Sequence, residues 1–347
     1  MYKKIILTTC LLFATQALAK KEALLVGVSD YGGNPRNDLI GIELDIAKMR
    51  QLFTDWGFDI KILPSHSSFQ TKEYLQRYAD TLSSGDTFAF YYSGHGSFVP
   101  DKNGDEADGK DEALVLSDGV SNIPFIDDEL NHYLNNIQAK KLIIFDSCHS
   151  GTVNRGDTKS VKAKTLPTNQ LNRVVGKGLK VGAEIERGEY LVLSASQDDE
   201  QSLATSNGSL FTNQLYKMFS NPRTINNPLE SLREEISYNI ETYCKHSPNK
   251  PHHPKFSFSN PSYANGSIKD YLKIRKTIQR PSNVDSLQSR LDSMVTDDSN
   301  QISISNQKSS YNTGEFVNFS INTNGVEGYL TMLYVDKNDI TVLYPNP

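Results

Sequence analysis

From Glu22 onward, short apolar runs alternate with segments in which apolar residues recur at helical spacing. Continuous apolar runs are typical of strands buried on both faces, and their alternation with helices is typical of a parallel sheet. The apolar runs predict the following strands: Ala23–Val28, Phe58–Leu63, Thr87–Tyr92, Lys141–Phe145 and Tyr190–Leu193. The helical spacings predict the following helices: Glu43–Trp56, Thr71–Leu82, Phe211–Phe219 and Leu229–Tyr243. We therefore predict an α/β fold with a mainly parallel sheet flanked by helices.

The second half of the chain contains two polar stretches. Residues 154–187 are rich in Lys and Arg and poor in apolar residues, which predicts a long, exposed basic loop. Residues 261–300 are polar and predict a linker with some helix. From residue 301 to 347, alternating apolar and polar positions predict a small β-rich domain that stops before a complete sheet, as a truncated domain would. The main α/β domain is accordingly predicted to occupy residues 20–260.

The beginning of the chain has the three parts of a secretory signal peptide. Two lysines precede the apolar stretch Ile5–Ala14, and a small-residue cleavage site ends at Ala19. The apolar stretch is too short to span a bilayer, and no later segment offers about eighteen apolar residues in a row. We therefore expect cleavage after Ala19 and a secreted or periplasmic protein. Lipoprotein-type cleavage before Cys10 is the weaker alternative, because Thr9 is larger than the residue such a site requires.

The composition limits the kinds of partner. The chain has 36 Lys and Arg residues against 41 Asp and Glu residues, a formal net charge of −5. A mildly acidic chain gives no electrostatic reason to expect nucleic acid or an anionic membrane as partner. Its 347 residues, 37% of them hydrophobic, are enough for one large core and one small one.

Two polar segments directly follow apolar strands: Ser93-Gly94-His95-Gly96 and Asp146-Ser147-Cys148-His149. Active sites of open α/β sheets lie at the carboxyl ends of the strands. A cysteine nucleophile needs a neighbouring base, so we predict Cys148 as the nucleophile and His95 as its base. The N–H groups of Gly96 and Cys148 are predicted to form the oxyanion hole. A purely structural His95 is the alternative, which its two flanking glycines and the matching Cys-His segment disfavour.

The segments YYSGHGSFVPDKNGDEADGKDEAL and IIFDSCHSGT together resemble the catalytic core of metacaspases, which are caspase-like cysteine peptidases. A histidine about fifty residues upstream of the cysteine is also the order recorded for caspases. The segments ALLVGVSDYGG, FIDDEL, LVLSASQDDEQS and NGSLFTNQL resemble the same domain, which would extend from Ala23 to Phe258. The tail Gly328–Pro347 is similar to a bacterial β domain of unknown function that follows caspase-like domains. The resemblance implies a bacterial cysteine endopeptidase with protein or peptide substrates.

The resemblance also implies cleavage after Arg or Lys, with Asp45, Ser93 and Asp146 forming the pocket for that residue. Two carboxylates suit a guanidinium or ammonium group. Caspases that cleave after aspartate carry a Gln-Ala-Cys-type motif, whereas this chain has Asp146 before its nucleophile. Two alternatives stay open: Asp45 decorates its helix only, and Ile42, where metacaspases often have cysteine, alters the shape of the pocket.

An acidic cluster follows the histidine segment. An EF-hand is excluded because Glu106 occupies the required glycine position. The resemblance instead implies Ca²⁺ bound by Asp111, Asp127 and Asp128, with no organic cofactor. The family's fourth ligand would fall at Arg155, so it is missing or shifted to Asp157. A solvated acidic loop is the alternative.

The basic loop supplies the residue types that the predicted pocket would bind. Exposed loops are also where proteolysis concentrates. We therefore predict a zymogen that cuts itself in this loop, and the candidate positions are Lys159, Lys162, Lys164 and Arg173. The alternative is that these residues serve solubility only.

Other functions compatible with the sequence are a caspase-like pseudoenzyme, an interaction module of the cell envelope, and a related peptidase with a different pocket. A disulfide between Cys148 and Cys244 is possible in an exported protein but is disfavoured, because Cys148 lies in the predicted reaction centre. Zinc binding by Cys244, His246, His252 and His253 is excluded by their irregular spacing.

Overall fold

The computed structural model describes part of the chain in two compact units, Met1–Ile278 and Gln279–Pro347. The described residues are 19–32, 34–100, 110–147, 161–164, 185, 187–197, 200–245, 247, 249–274, 303–305, 320–322, 331–335 and 340–345. The predicted signal peptide lies outside them, apart from Ala19. Among the described residues, no helix combines the length and the apolar character needed to cross a membrane.

The strands of the first unit, in chain order, are β1 (Lys21–Gly27), β2 (Asp59–Leu63), β3 (Thr87–Ser93), β4 (Gly96–Pro100), β5 (Lys110–Ser117), β6 (Asn122–Ile126), β7 (Lys140–Asp146), β8 (Val161–Ala163), β9 (Tyr190–Ser194), β10 (Leu203–Thr205) and β11 (Lys255–Phe258). Its helices are α1 (Ile42–Asp55), α2 (Ser68–Thr81), α3 (Asp127–Asn136), α4 (Leu210–Phe219), α5 (Leu229–Cys244), a 3₁₀ turn (Pro261–Asn265) and α6 (Ile268–Tyr271).

Six strands form the central sheet in the order β11-β9-β7-β3-β1-β2. All neighbouring pairs are parallel except β11 and β9, which confirms the predicted mainly parallel sheet. The register aligns the ends of three strands, because Gly27 lies opposite Ser93 and Ser93 lies opposite Asp146. The segments that follow β1, β3 and β7 therefore leave the sheet at the same carboxyl edge.

Helices cover both faces of this sheet, as the apolar spacing predicted. Helix α1 buries Met49, Leu52 and Phe53 toward one face, where α4 and α5 also pack. Helices α2 and α3 pack on the opposite face. Asp45 is also on the buried side of α1, although it is charged. Its burial requires polar partners, and these are provided at the carboxyl edge of the sheet.

Two small sheets were not predicted. Strands β4, β5 and β6 form an antiparallel sheet directly after the histidine segment. Strand β8 pairs antiparallel with β10, with Val161 opposite Thr205 and Ala163 opposite Leu203. The prediction of an exposed loop over residues 154–187 is therefore wrong for residues 161–164, because residues 161–163 form a paired strand and Lys164, which follows them, is fully buried.

The predicted linker begins later than residue 261. Ile268, Tyr271 and Ile274 are buried in the core, and the Tyr271 hydroxyl donates a hydrogen bond to the Lys141 carbonyl oxygen (2.7 Å). Cys244 is a free cysteine buried at the end of α5. Ile268, Tyr271 and Ile274 are separated by polar residues, which is why the composition of this stretch resembles that of a linker.

The described strands of the second unit form two antiparallel pairs. Strand β12 (Ser303–Ser305) pairs with β13 (Ser320–Asn322), and β14 (Thr331–Val335) pairs with β15 (Ile340–Pro345). These pairs agree with the alternating pattern from residue 301.

Candidate active site

His95 follows β3 by two residues and is buried at the carboxyl edge of the sheet. Its Nε2 lies 2.7 Å from the carbonyl oxygen of Asn37, which can only accept a hydrogen bond. Nε2 therefore carries the proton and Nδ1 has a free lone pair. Within the described residues, Nδ1 is buried and has no hydrogen-bond partner. This tautomer can act as a base at Nδ1.

Burial lowers the pKa of His95 to about 4, although the hydrogen bonds with main-chain groups of Asn37 and Lys164 favour protonation. The ammonium groups of Lys164 and Lys162 lower this pKa further. The imidazole is consequently neutral near pH 7, which is the form that accepts a proton.

Two buried tyrosines fix the backbone of His95. The His95 N–H donates to the Tyr31 hydroxyl oxygen (2.5 Å), and the two rings lie 4.4 Å apart between centroids. The Tyr92 hydroxyl lies 2.8 Å from the His95 carbonyl oxygen. A Cβ at Gly94 would lie 2.5 Å and 2.6 Å from these two hydroxyl oxygens, so only glycine fits between them. No sequence pattern indicated a role for either tyrosine.

Cys148 lies outside the described residues, as does Arg155. The described part of β7 ends at Asp146, which pairs with Ser93, and the Gly94 N–H donates to the Asp146 carbonyl oxygen (3.3 Å). His95 and Cys148 each follow the paired residues by two positions. The segments that carry the predicted base and the predicted nucleophile therefore begin at the same level of two neighbouring strands.

The three residues predicted to form the substrate pocket lie around the side chain of Lys164. The Lys164 Nζ lies 2.9 Å from Asp146 Oδ1, 2.8 Å from Ser93 Oγ and 3.5 Å from Asp45 Oδ2. It also donates to the Asp146 carbonyl oxygen (2.9 Å). All four residues are fully buried. The alternative in which Asp45 only decorates α1 is wrong, because its carboxylate points into this cluster.

Asp146 is bound from two further directions. Ser202 Oγ donates to Oδ1 (2.8 Å), while the hydroxyl and N–H of Thr212 donate to Oδ2 (2.6 and 3.1 Å). Burial would raise the pKa of Asp146, but the Lys164 ammonium and the hydrogen bonds from Thr212, Lys164 and Ser202 outweigh it and lower the pKa. Asp146 is therefore the ionised partner of the cation.

Asp45 is bound by two serines. Ser93 Oγ donates to Oδ2 (2.8 Å), the Ser209 N–H donates to Oδ1 (2.7 Å), and the Ser209 hydroxyl also donates to Oδ2. Burial first, and then the charge of Asp146, raise the pKa of Asp45 despite the nearby Lys164. Gly208 has φ +93°, and a Cβ there would lie 2.7 Å from Asp45 Oδ1, so glycine is needed for this approach. Ser202, Ser209 and Thr212 lie in segments on which the family resemblance rested, but the sequence analysis gave them no role.

The main chain of Lys164 is also bound. The Gly96 N–H donates to the Lys164 carbonyl oxygen (2.9 Å), and the Lys164 N–H donates to the Ser202 carbonyl oxygen (3.0 Å). The Gly96 N–H, which the sequence predicted as an oxyanion donor, thus binds the carbonyl group of a lysine. Lys164 directly follows strand β8, with its side chain among carboxylates and its carbonyl group bound by the Gly96 N–H.

The other candidates for self-cleavage differ in their placement. Lys162 is half-buried and donates to main-chain carbonyl oxygens, whereas Lys159 and Arg173 lie outside the described residues.

The predicted calcium ligands lie around β5 and α3. Asp127 is buried at the first position of α3, where its Oδ1 accepts the Asp128 N–H (2.8 Å). The backbone of Asp111 lies on β5, two residues before Ala113, which pairs with Ile126. The Asp111 side chain lies outside the described part, as does Asp157. Among the described side chains, no group of three or more His, Cys, Asp or Glu residues is arranged to bind a metal ion.

The histidines excluded as zinc ligands bind protein groups. His252 Nδ1 lies 2.6 Å from the Ala195 carbonyl oxygen. The His253 ring lies between Glu200, which contacts Nδ1, and Glu241, whose Oε1 lies 3.2 Å from Nε2. The hydrogen bond to Glu200 is the largest of the effects that raise the pKa of His253. This ion pair connects the segment that precedes Ser202 to α5.

Residues 20–278 match the family model described as the caspase domain, peptidase family C14. The chain belongs to this family. Metacaspase-3 of Arabidopsis thaliana is 37% identical over 149 residues, which cover 39% of this chain and 41% of that protein. Metacaspase-1 of Schizosaccharomyces pombe is 32% identical over 151 residues, which cover 38% of this chain and 34% of that protein. The chain thus matches between 34% and 41% of the length of these relatives.

A solved structure of a protein from Geobacter sulfurreducens matches the fold with a TM-score of 0.54. The match covers 72% of this chain and 98% of that protein at 24% identity. The match to the caspase-domain model and the identity to the two metacaspases confirm the predicted resemblance.

Proposed function

We propose that this protein is a cysteine endopeptidase that hydrolyses peptide bonds after Lys or Arg. One observation carries the proposal: the Lys164 ammonium lies between Asp146 and Asp45 while its carbonyl oxygen accepts the Gly96 N–H. A substrate residue before a scissile bond must satisfy the same two requirements. The most direct experiment is the hydrolysis of peptides that differ only at the residue before the scissile bond.

The proposed reaction uses the neutral imidazole of His95. Nδ1 accepts the proton of the Cys148 thiol, and the resulting thiolate attacks the carbonyl carbon of the substrate. The Gly96 N–H stabilises the oxyanion, and the N–H of Cys148 is the second proposed donor. His95 then gives its proton to the leaving amine, and water hydrolyses the acyl-enzyme through the same base. The Asn37 carbonyl keeps the ring in the required tautomer throughout.

Specificity for a cation follows from the burial of both carboxylates. An aspartate in the pocket would place a negative charge beside the ionised Asp146 at a fully buried position, where repulsion between like charges is strong. A neutral chain of the same length would leave Asp146 without its counter-ion, which is costly for a buried charge. Lys and Arg are the only side chains that both reach the carboxylates and carry the opposite charge.

The same geometry favours Lys164 as the position of self-processing. The scissile bond would join Lys164 to Thr165, and the acyl group transferred to Cys148 would end at Lys164. We expect the wild-type chain to yield two fragments, the first ending at Lys164. Mass spectrometry of the new termini measures this, and the variant Cys148→Ala should stay whole under the same conditions.

Matched variants separate this cut from general proteolysis. Lys164→Ala should abolish the cut, because alanine leaves the carboxylates unpaired, whereas Lys164→Arg should retain it. Lys159→Ala and Arg173→Ala should be cut as efficiently as the wild type. Termini at another residue of the loop, or an intact wild-type chain in an active preparation, would contradict the proposal.

We further propose that the protein is exported and that Ca²⁺ binds near Asp111, Asp127 and Asp128. Carboxylate oxygens suit this ion, and the pairing of Ala113 with Ile126 brings the backbones of β5 and the start of α3 together. Strand β4 pairs with β5 and begins at Gly96, so an ion at β5 would act on the oxyanion donor through this sheet.

Calcium should therefore increase activity, and a chelator should reverse the increase. Asp128→Asn should raise the calcium concentration needed for half-maximal activity, because it removes one anionic oxygen ligand. Titration of kcat/KM with calcium measures this, and Asp59→Asn on the exposed edge of β2 serves as control. Unchanged activity and unchanged Tm with calcium and with chelator would refute the calcium site.

A further inference from the structure

A second lysine of the bound segment also makes specific contacts beside the histidine. Lys162 Nζ lies 2.6 Å from the Asp38 carbonyl oxygen and 3.4 Å from the Arg36 carbonyl oxygen. Lys162 lies in β8, and Lys164 follows the strand but still donates its N–H to the Ser202 carbonyl oxygen opposite. The alternation of the strand therefore places the two lysine side chains on the same side. The intervening Ala163 is buried. The segment 161–164 thus presents two cations, separated by one small residue, on one side of its backbone.

The acceptors for Lys162 belong to a short loop that is fixed independently of it. The carbonyl group of Asn37, between the two acceptors, is the partner of His95 Nε2. The Asp38 carboxylate accepts the Tyr31 N–H (3.0 Å), and the Leu39 N–H donates to the Ser29 carbonyl oxygen (2.8 Å). The loop therefore keeps its position beside His95 when another peptide takes the place of residues 161–164.

We propose that the main-chain carbonyl groups of Arg36 and Asp38 form a second cation site, which selects Lys or Arg at the third residue before the scissile bond. This inference rests on the proposed endopeptidase function. The preferred substrates are then basic segments with the pattern Lys/Arg-x-Lys/Arg, in which x is small. The first cation enters the carbonyl site and the second enters the pocket of Asp45 and Asp146.

The two sites differ in strength for a physical reason. The carboxylate pocket is fully buried, whereas the contact of Lys162 with the loop is only partly buried. Carbonyl dipoles attract an ammonium without a counter-charge, so the second site should modulate the rate rather than be essential. A glutamate at the same position would face the oxygen ends of these dipoles and be rejected.

The test uses acyl-Val-Lys-Ala-Lys-reporter, which copies residues 161–164, and two peptides with norleucine or glutamate in place of the first lysine. Norleucine has nearly the same carbon chain and no charge, so it isolates the ammonium. Replacing lysine by norleucine should lower kcat/KM about tenfold, the typical effect of a hydrogen bond to a charged group. Glutamate should lower it further. A further peptide, with norleucine directly before the scissile bond, tests the contribution of the ammonium group in the pocket of Asp45 and Asp146.

The outcomes separate the two proposals. Equal rates for lysine and norleucine at the third position, with continued dependence on lysine before the scissile bond, would overturn the second site and leave the peptidase function standing. Absence of hydrolysis for all peptides would overturn both. Asp38→Asn removes the carboxylate but keeps the carbonyl group and an acceptor for Tyr31, so the preference should persist in this variant. Its disappearance there would contradict the assignment to the carbonyl groups.

Discussion

Replacing Cys148 by alanine is expected to abolish peptide hydrolysis, with a loss of about 10⁴-fold or more in kcat/KM. The reaction as proposed has no other nucleophile, because the thiolate forms the acyl-enzyme bond. His95→Ala should cause nearly the same loss, since the base and the nucleophile act as one unit. Rates with a basic reporter peptide measure both effects.

Two controls distinguish this loss from damage to the fold. Cys244→Ala changes the buried cysteine at the end of α5, far along the chain from the site, and should retain activity. His132→Ala changes an exposed histidine of α3 and should also be active. Substantial turnover by Cys148→Ala, at a Tm equal to that of the wild type, would remove the proposed mechanism.

Replacing Asp146 by asparagine should lower kcat/KM for lysine substrates by about 10²–10³-fold, because loss of one member of a buried charge pair costs a few kcal/mol. Asparagine retains an oxygen for Ser202 and Thr212, so the change removes mainly the charge. Asp45→Asn should have a smaller effect, because Asp45 lies farther from the lysine Nζ (3.5 Å against 2.9 Å). Steady-state kinetics with peptides that carry lysine or norleucine before the scissile bond measure how strongly each variant still prefers lysine.

Asp59→Asn, at an exposed position of β2, is the matched control and should not change discrimination. Because Lys164 is itself buried against Asp146, Asp146→Asn should also destabilise the uncleaved chain by about 3 kcal/mol. Folding is checked by the Tm of each variant. If a folded Asp146→Asn variant discriminated between lysine and norleucine as well as the wild type, the pocket would be assigned incorrectly.

The main sheet and its helices could be predicted from the sequence because their signals are local. Four- to seven-residue apolar runs and helical spacings gave β1, β3, β7 and α1 to within about two residues. The position of His95 at a strand end followed from the same patterns, since a parallel sheet brings strand ends to one edge.

Lys164 was predicted to be exposed, because its neighbours in the sequence are basic and polar. Its burial depends on Asp45 and Asp146, which are distant in the sequence and come together only through the sheet register. Strand β8 is only three residues long, and its partner β10 lies about forty residues downstream, so no local periodicity indicates the pairing. Long-range partners of this kind leave no local sequence signal.

The contacts of the Asn37 carbonyl with His95, and of the Arg36 and Asp38 carbonyls with Lys162, are made by the main chain. Every residue type has a carbonyl group, so these roles do not constrain the side chains of the loop. Ser202, Ser209 and Thr212 are a different case, because common polar residues near a strand end or a helix start also serve as caps and turns. Their role becomes visible only when the buried carboxylates are located.

The most direct test of the account is hydrolysis of four peptides, acyl-Val-Lys-Ala-X-reporter, in which X is Lys, Arg, norleucine or Asp. The full chain is first incubated with calcium until its fragment pattern no longer changes, so that Lys164 does not compete for the pocket. We expect efficient cleavage after Lys and Arg, a loss of about 10²–10³-fold for norleucine, and no detectable cleavage after Asp. Preferred cleavage after Asp, or equal rates for Lys and norleucine, would contradict the account.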